Sequence, residues 1–213
     1  MKKSVLLITT AIVLILAAGA MAQDEGGKTR NFEVGVYTGL SLPMGDLKNW
    51  NDSMGAKTGF DFGLSGGYFL KENLSLGGYF TYTQFPVKLY SNMHYRFYNV
   101  GAYCKYAFVG ESDWEPYVKI KAGADFAKFA TWTEKDLNRL RELSYKPGLG
   151  MSLGAGILRY TSDNGGLFLE GEYHFAPLKS QKATYRDVDY KFDHNVNFLS
   201  FRFGVNVFFG GGQ

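Results

Sequence analysis

Apolar residues alternate with small or polar ones along most of the chain. From Phe32 to Leu40 the even positions read Phe32, Val34, Val36, Thr38 and Leu40, and the odd positions Glu33, Gly35, Tyr37 and Gly39. A period of two puts the two sets on opposite faces of a strand. Seven further apolar stripes start at Phe60, Leu74, Tyr98, Val118, Leu149, Leu167 and Leu199. The segments between them alternate in length. Those at 71–73, 110–114 and 162–166 are short, and those at 42–58, 86–93, 132–147 and 177–194 are longer. Short turns on one rim and long loops on the other predict an all-β chain, an eight-stranded antiparallel up-and-down transmembrane β-barrel. Such a sheet must close, because hydrocarbon leaves no partner for an open edge.

The first residues form a different pattern. Met1-Lys2-Lys3 is positive, Val5 to Ala18 is apolar, and Ala20-Met21-Ala22 is a small-x-small run. This reads as a secretory signal at 1–22, cleaved after Ala22. A short segment at 23–30 then leads into a barrel domain at 31–213. The apolar run is short for a spanning helix, so membrane residence must come from strands.

Composition narrows the class. The 213 residues carry 27 Gly, 18 Phe, 15 Tyr and only 5 Pro, as expected of many closely packed strands rather than low complexity. One cysteine, Cys104, excludes an intramolecular disulfide framework and a Cys-rich zinc module. A net charge of +3 gives no reason to invoke nucleic acid.

A soluble lipocalin-type barrel shares the alternation, with its apolar stripe inside. Here the polar stripe is rich in Gly, Ser and Tyr, which suits a narrow filled interior better than a solvated wall. Aromatics near the strand ends suit interfacial girdles: Tyr68, Phe108, Trp114, Tyr160 and Phe209 on one rim, Trp132, Tyr173 and Phe175 on the other.

The last strand adds a motif. Arg202, Gly204, Val207 and Phe209 fill the four fixed places of a C-terminal barrel-assembly signal, with Gly210–Gln213 following the aromatic. With the eight stripes, this run resembles the outer-membrane β-barrel domain family, in particular the small OmpX-like and OmpW-like barrels. The resemblance covers about residues 31–209. It implies a bacterial outer-membrane protein with a periplasmic N-terminus. Its partners would be outer-membrane lipid, lipopolysaccharide, periplasmic chaperones and the barrel-assembly machinery. It would be a monomer, and it names no single activity.

The inward stripe carries charge of both signs. Glu33, Asp61, Asp125, Glu170 and Glu172 stand against Lys105, Lys119, Lys121 and Arg202. Asp61 and Asp125 fall nearer the long-loop end. The lower set, Glu33, Lys105, Lys119, Lys121, Glu170, Glu172 and Arg202, is expected to form a network closing the lumen, with Arg202 paired to Glu172. A pore lined by charge is the rival reading, and it usually shows one sign in excess.

Motifs for chemistry are sparse. A lipid-modifying barrel enzyme needs a nucleophile beside a histidine. The lipid A deacylase barrels carry His-x-Ser, whereas this run is His174-Phe175-Ala176. His174 is expected to make a lumen hydrogen bond, and His94 and His194 to be solvated. No zinc or calcium spacing is present, and no cofactor or metal is expected. In 132–146, Leu137, Leu140 and Leu143 recur at helical spacing behind a Thr133 cap, which suggests a short helix. Lys179, Lys182, Arg186 and Lys191, offset by Asp187, Asp189 and Asp193, read first as a solvated mixed-charge loop, with contact to lipopolysaccharide phosphates as the alternative. The expected role is non-enzymatic, structural or surface-interacting through the long loops. Alternatives are a barrel transporting small or apolar solutes and, less favoured, a lipid-modifying enzyme.

Overall fold

A computed structural model describes residues 30–49, 55–88, 93–110, 112–131, 143–144, 147–178, 181–185, 188–192 and 195–210. The expected signal at 1–22, Trp132 and His194 lie outside these residues. Eight long strands form the wall: β1 (Phe32–Met44), β2 (Gly59–Lys71), β3 (Leu74–Pro86), β4 (Met93–Ala107), β5 (Trp114–Thr131), β7 (Gly148–Ser162), β8 (Gly165–Pro177) and β11 (Asn195–Phe209). Helix α1 (Gly45–Asn49) follows β1. The short strand β6 (Leu143–Ser144) pairs with β5, and β9 (Gln181–Tyr185) pairs with β10 (Val188–Phe192).

Every long strand is antiparallel to its chain neighbours, and the β1–β11 pairing, from Phe32↔Phe209 to Met44↔Asn197, closes the ring. Turns at Glu72-Asn73 and Asp163-Asn164 need two residues each, and both end in Asn, a residue favoured in turns. At the end of β11, Gly210 takes φ 82°, a conformation that favours glycine.

The even stripe of β1 and its counterparts point outward, leaving Leu64, Ile120, Leu153, Leu169 and Phe203 exposed. The opposite stripe is buried in the lumen. Small residues inside make room for large ones across the barrel. A Cβ at Gly63 would run into the Tyr37 ring, and one at Gly204 into Phe168.

Most strands run past their expected ends toward the long-loop rim. There the stripes invert: Phe85, Tyr95, Phe97 and Phe198 face inward, while Gln84 and Arg96 face outward. The inward set packs with Val87, Val196, Leu178, and Leu47 of α1 into an apolar plug. Leu47, Val87 and Leu178 fall in segments expected to be loops, whereas Phe85, Tyr95, Phe97, Val196 and Phe198 lie between those segments and the expected apolar stripes. The change of polarity marks where the wall leaves the apolar belt. Leu143 is strand rather than helix, and the rest of that expected helix lies outside the described residues. His94 is buried rather than solvated, and Tyr160 faces the lumen rather than a girdle.

Ile120 and Leu153 are cross-strand partners, 56% and 60% exposed. Arginine at either should lower folding stability in lipid bilayers by roughly 2–4 kcal/mol. Denaturant titration of the bilayer-folded protein reads that loss. Arginine at inward Gly101, whose added Cβ would strike the Ala122 carbonyl, should instead prevent folding in detergent as well.

Candidate functional site

The lumen is filled in layers, each set by strand register. At the short-turn rim a cavity of about 490 Å³ opens among Arg30, Phe69, Glu115 and Tyr160. The Arg30 guanidinium lies 3.8 Å from the Tyr160 ring centroid and 4.8 Å from that of Phe208. The Tyr160 hydroxyl donates to Glu115 Oε2 at 2.8 Å.

Above this floor Lys105 forms an ion pair with Glu33. Ser75 and Tyr103 each donate to Glu33 Oε1 at 2.9 Å. One base meets one acid, with the remaining acceptor capacity taken by hydroxyls. Charge-assisted bonds of this kind are the strong ones in a desolvated site.

The next layer is larger. Lys119 pairs with Glu170, which also accepts from the Tyr117 hydroxyl at 3.0 Å. Lys121 Nζ stands 2.7 Å from Glu172 Oε2, an ion pair outside hydrogen-bond geometry. Arg202 is the centre. Its Nε reaches Asp61 Oδ2 at 2.5 Å, and one terminal nitrogen reaches Glu172 Oε1 at 2.6 Å and Glu170 Oε1 at 3.5 Å. Lys119, Lys121 and Arg202 balance Asp61, Glu170 and Glu172. Both clusters are therefore electrically neutral, and every member is at least nine-tenths buried. The rings of Tyr103 and Tyr117 lie between them, each within 6 Å of the Lys119 ammonium.

All seven residues singled out for the lumen network are buried here, and Arg202 does meet Glu172. The set is divided differently from the expected single network. Glu33 and Lys105 form their own pair, while Asp61, placed too high by counting along its strand, belongs to the Arg202 cluster. Barrel tilt brings β2 and β11 to similar heights at positions that simple counting separates.

A hydrogen-bonded relay lies above the ion clusters. His174 Nδ1 is 2.8 Å from Ser152 Oγ, and His174 Nε2 is 2.9 Å from Asp125 Oδ2. Asn99 donates to Asp125 Oδ1 at 2.6 Å, and the imidazole stacks on Phe198 at 4.5 Å. Sequence scanning missed this serine because it lies on the adjacent strand, where Ser152↔His174 is a register pair. Serine, histidine and aspartate also make hydrolase triads, but there the serine faces Nε2 and the carboxylate Nδ1. Here the ring nitrogens are exchanged, and all three groups are buried beneath the apolar plug.

The proposed assembly residues do not gather. Arg202 points into the lumen, Gly204 meets Phe168, Val207 is buried, and Phe209 is half-buried opposite Phe32 at the short-turn rim. Among the described residues no group of His, Cys, Asp and Glu could hold a metal ion.

The outer membrane protein β-barrel domain family matches residues 9–209. No curated protein matches the chain in sequence. Among solved structures, Neisserial surface protein A is similar at 18% identity and a TM-score of 0.61, covering 84% of this chain and 97% of that one. The attachment invasion locus protein of Yersinia pestis aligns at 16% identity and a TM-score of 0.49, covering 84% and 99%. OprG from Pseudomonas aeruginosa aligns at 13% and 0.49, covering 89% and 100%.

Arg202→Ala would leave three buried carboxylates with two lysines. In a dry layer that should cost about 3–5 kcal/mol. Urea unfolding should show the loss, and Arg202→Lys should recover only part of it, because one ammonium cannot reproduce the guanidinium fork.

Proposed function

The chain belongs to the outer membrane protein β-barrel domain family, and from that premise we propose a sealed, non-enzymatic barrel that acts at the cell surface through its long-loop rim. One observation carries the sealed lumen: two neutral, buried ion clusters fill a ring of only eight strands. A selective pore needs a water path and commonly one sign of charge along it. Here each charge is taken up by a partner, and the apolar plug around Phe85, Phe97 and Phe198 covers the same path. The buried Ser152–His174–Asp125 relay serves this seal as a fully bonded layer.

The family places the barrel in the outer membrane. Short turns then face the periplasm and the long-loop rim faces outward. Export would use the signal at 1–22. Insertion would use the terminal strand, whose greasy face can pair with an edge strand of the assembly machinery.

Purified protein in planar bilayers should show no steady conductance. Removing charge from the hub, as in the Arg202→Ala, Lys121→Ala double variant, should open measurable leak. Steady small-ion conductance by the wild type would put a transport role first.

In cells, the outer-membrane form should have a mass beginning at Gln23. Phe209→Ala should reduce its folded, heat-modifiable amount more than it slows refolding in detergent. Deleting 210–213 should leave both unchanged.

A further inference from the structure

Three polar atoms of the lumen meet where the Arg202 cluster approaches the Asp125 relay, and none has a hydrogen-bond partner in the protein. They are Lys121 Nζ, the Tyr79 hydroxyl and Glu172 Oε2. They come from β5, β3 and β8, and their residues are 1%, 5% and 2% exposed. Asp61 Oδ1 is a fourth such atom, but it lies apart beside Gly39 of β1. A buried donor or acceptor without a partner carries the whole cost of its lost hydration. Such groups are rare in folded proteins, and several at one place point to a bound molecule that serves them together.

The groups themselves define that molecule. The Lys121 ammonium stands 2.7 Å from Glu172 Oε2 without hydrogen-bond geometry, so its N–H donors remain to be satisfied. It sits 4.5 Å from the Tyr79 ring centroid, near enough for one oxygen atom to span ammonium and hydroxyl. The neighbouring Tyr37 hydroxyl is already engaged, sharing a 2.6 Å hydrogen bond with Thr81 Oγ1. The Tyr79 phenol interacts with the carboxylates of both Asp125 and Glu172 but bonds to neither. Two donors and one acceptor thus converge. An anion would face Glu172, and a cation would face Lys121 and Arg202. The cluster is neutral without either. What fits is an uncharged molecule that both accepts and donates, and the smallest is water.

Strand β7 leaves room beside Glu172. Its Gly154 is buried and lies between Lys119 of β5 and Glu172 of β8 in the register. A Cβ there would meet nothing nearer than the Gly171 carbonyl oxygen at 3.4 Å, with Glu170 and Glu172 next at 3.7 Å. The glycines under Tyr37 and Phe168 have no such space: a Cβ would come within 2.3 Å of the ring at Gly63 and 2.6 Å at Gly204. Carbonyl and carboxylate groups line the opening at Gly154. A small polar cavity holds water, whereas an apolar one of the same size stays dry.

We propose that one ordered water is bound here, accepting hydrogen bonds from Lys121 and Tyr79 and donating to Glu172 Oε2. Three bonds are the usual complement of a buried water. It satisfies the three atoms at once and ties β3 to β5 and β8 without adding charge to a neutral cluster. Tyr79 becomes the joint between the ionic layer and the Asp125 layer above it. The proposal rests on the sealed lumen, since water in an open channel would reach every lysine of the interior alike.

The test is solid-state NMR of the whole barrel in phospholipid bilayers, with nitrogen-labelled lysine and magnetisation transferred from water. Lys119, two residues away on the same strand and paired with Glu170, is the control. The Lys121 ammonium should receive magnetisation and the Lys119 ammonium should not. Tyr79→Phe should abolish the Lys121 transfer. It should also lower the thermal unfolding midpoint by roughly 2–4 °C, the size of one lost hydrogen bond in a chain of this length. A hydroxyl that held no water would behave in the opposite way, because removing it from a dry site relieves an unmet polar group. An unchanged or raised midpoint in Tyr79→Phe therefore overturns the site. So does an absence of transfer to Lys121 in the wild type, or transfer that Tyr79→Phe leaves undiminished. Equal transfer to Lys119 and Lys121 overturns instead the sealed lumen on which the site depends. Should Tyr79→Phe fail to assemble, the comparison of the two lysines in the wild type still decides.

Discussion

In hydrocarbon every backbone N–H and C=O must find a partner within the protein. The pairing of β1 with β11 meets that demand by joining the two ends of the chain into a ring. Much else follows from closure at eight strands. A ring so small has an interior only one side-chain layer wide on each wall. Bulk must then be shared across the lumen, as when Gly63 yields to Tyr37. Charges that enter must be matched at once, since little water is left to solvate them. The neutral clusters around Glu33 and Arg202 are the electrostatic form of the same packing rule.

Much of the wall was legible from period-two alternation, because a strand facing lipid on one side and protein on the other cannot hide its pattern. The limits of legibility lie where the surroundings change along a single strand. On β4, Val100 and Cys104 face outward from an apolar stripe, but Tyr95 and Phe97 invert the rule three to five residues away. The pattern there is still alternation, but a reader following one stripe sees only a strand that ends. Contacts between distant strands were harder still. Arg202 and Glu172 were within reach of the register argument because β8 and β11 are adjacent. Asp61 was not, since its height depends on tilt accumulated around the ring. Ser152 escaped because its histidine partner is twenty-two residues away, though directly across one strand boundary.

The inside and outside of the barrel treat charge differently. Inside, bases and acids are interleaved so closely that each cluster is neutral. Outside, the strand bodies bear bases at the rims and no acids among the described residues. The interior arrangement is electrostatically complete in itself.

The Arg202 cluster also bears on how the strands find their alignment. The outward stripe of β11 reads Leu199, Phe201, Phe203, Val205, and that of β8 reads Leu167, Leu169, Gly171, Tyr173. Sliding one strand by two residues would keep every greasy side chain in lipid and every backbone bond countable, so the membrane hardly distinguishes the slipped ladder from the true one. The interior does distinguish it. A two-residue slip toward the turn sets Arg202 opposite Phe168 and withdraws it from Glu172 and from Asp61 on the far side of β1. The ionic centre draws on β2, β5, β8 and β11 together, so it is whole only in a ring closed at the right offset. Buried charge, costly as it is to desolvate, thereby acts as the proofreader of a wall whose outer surface would accept its misprints.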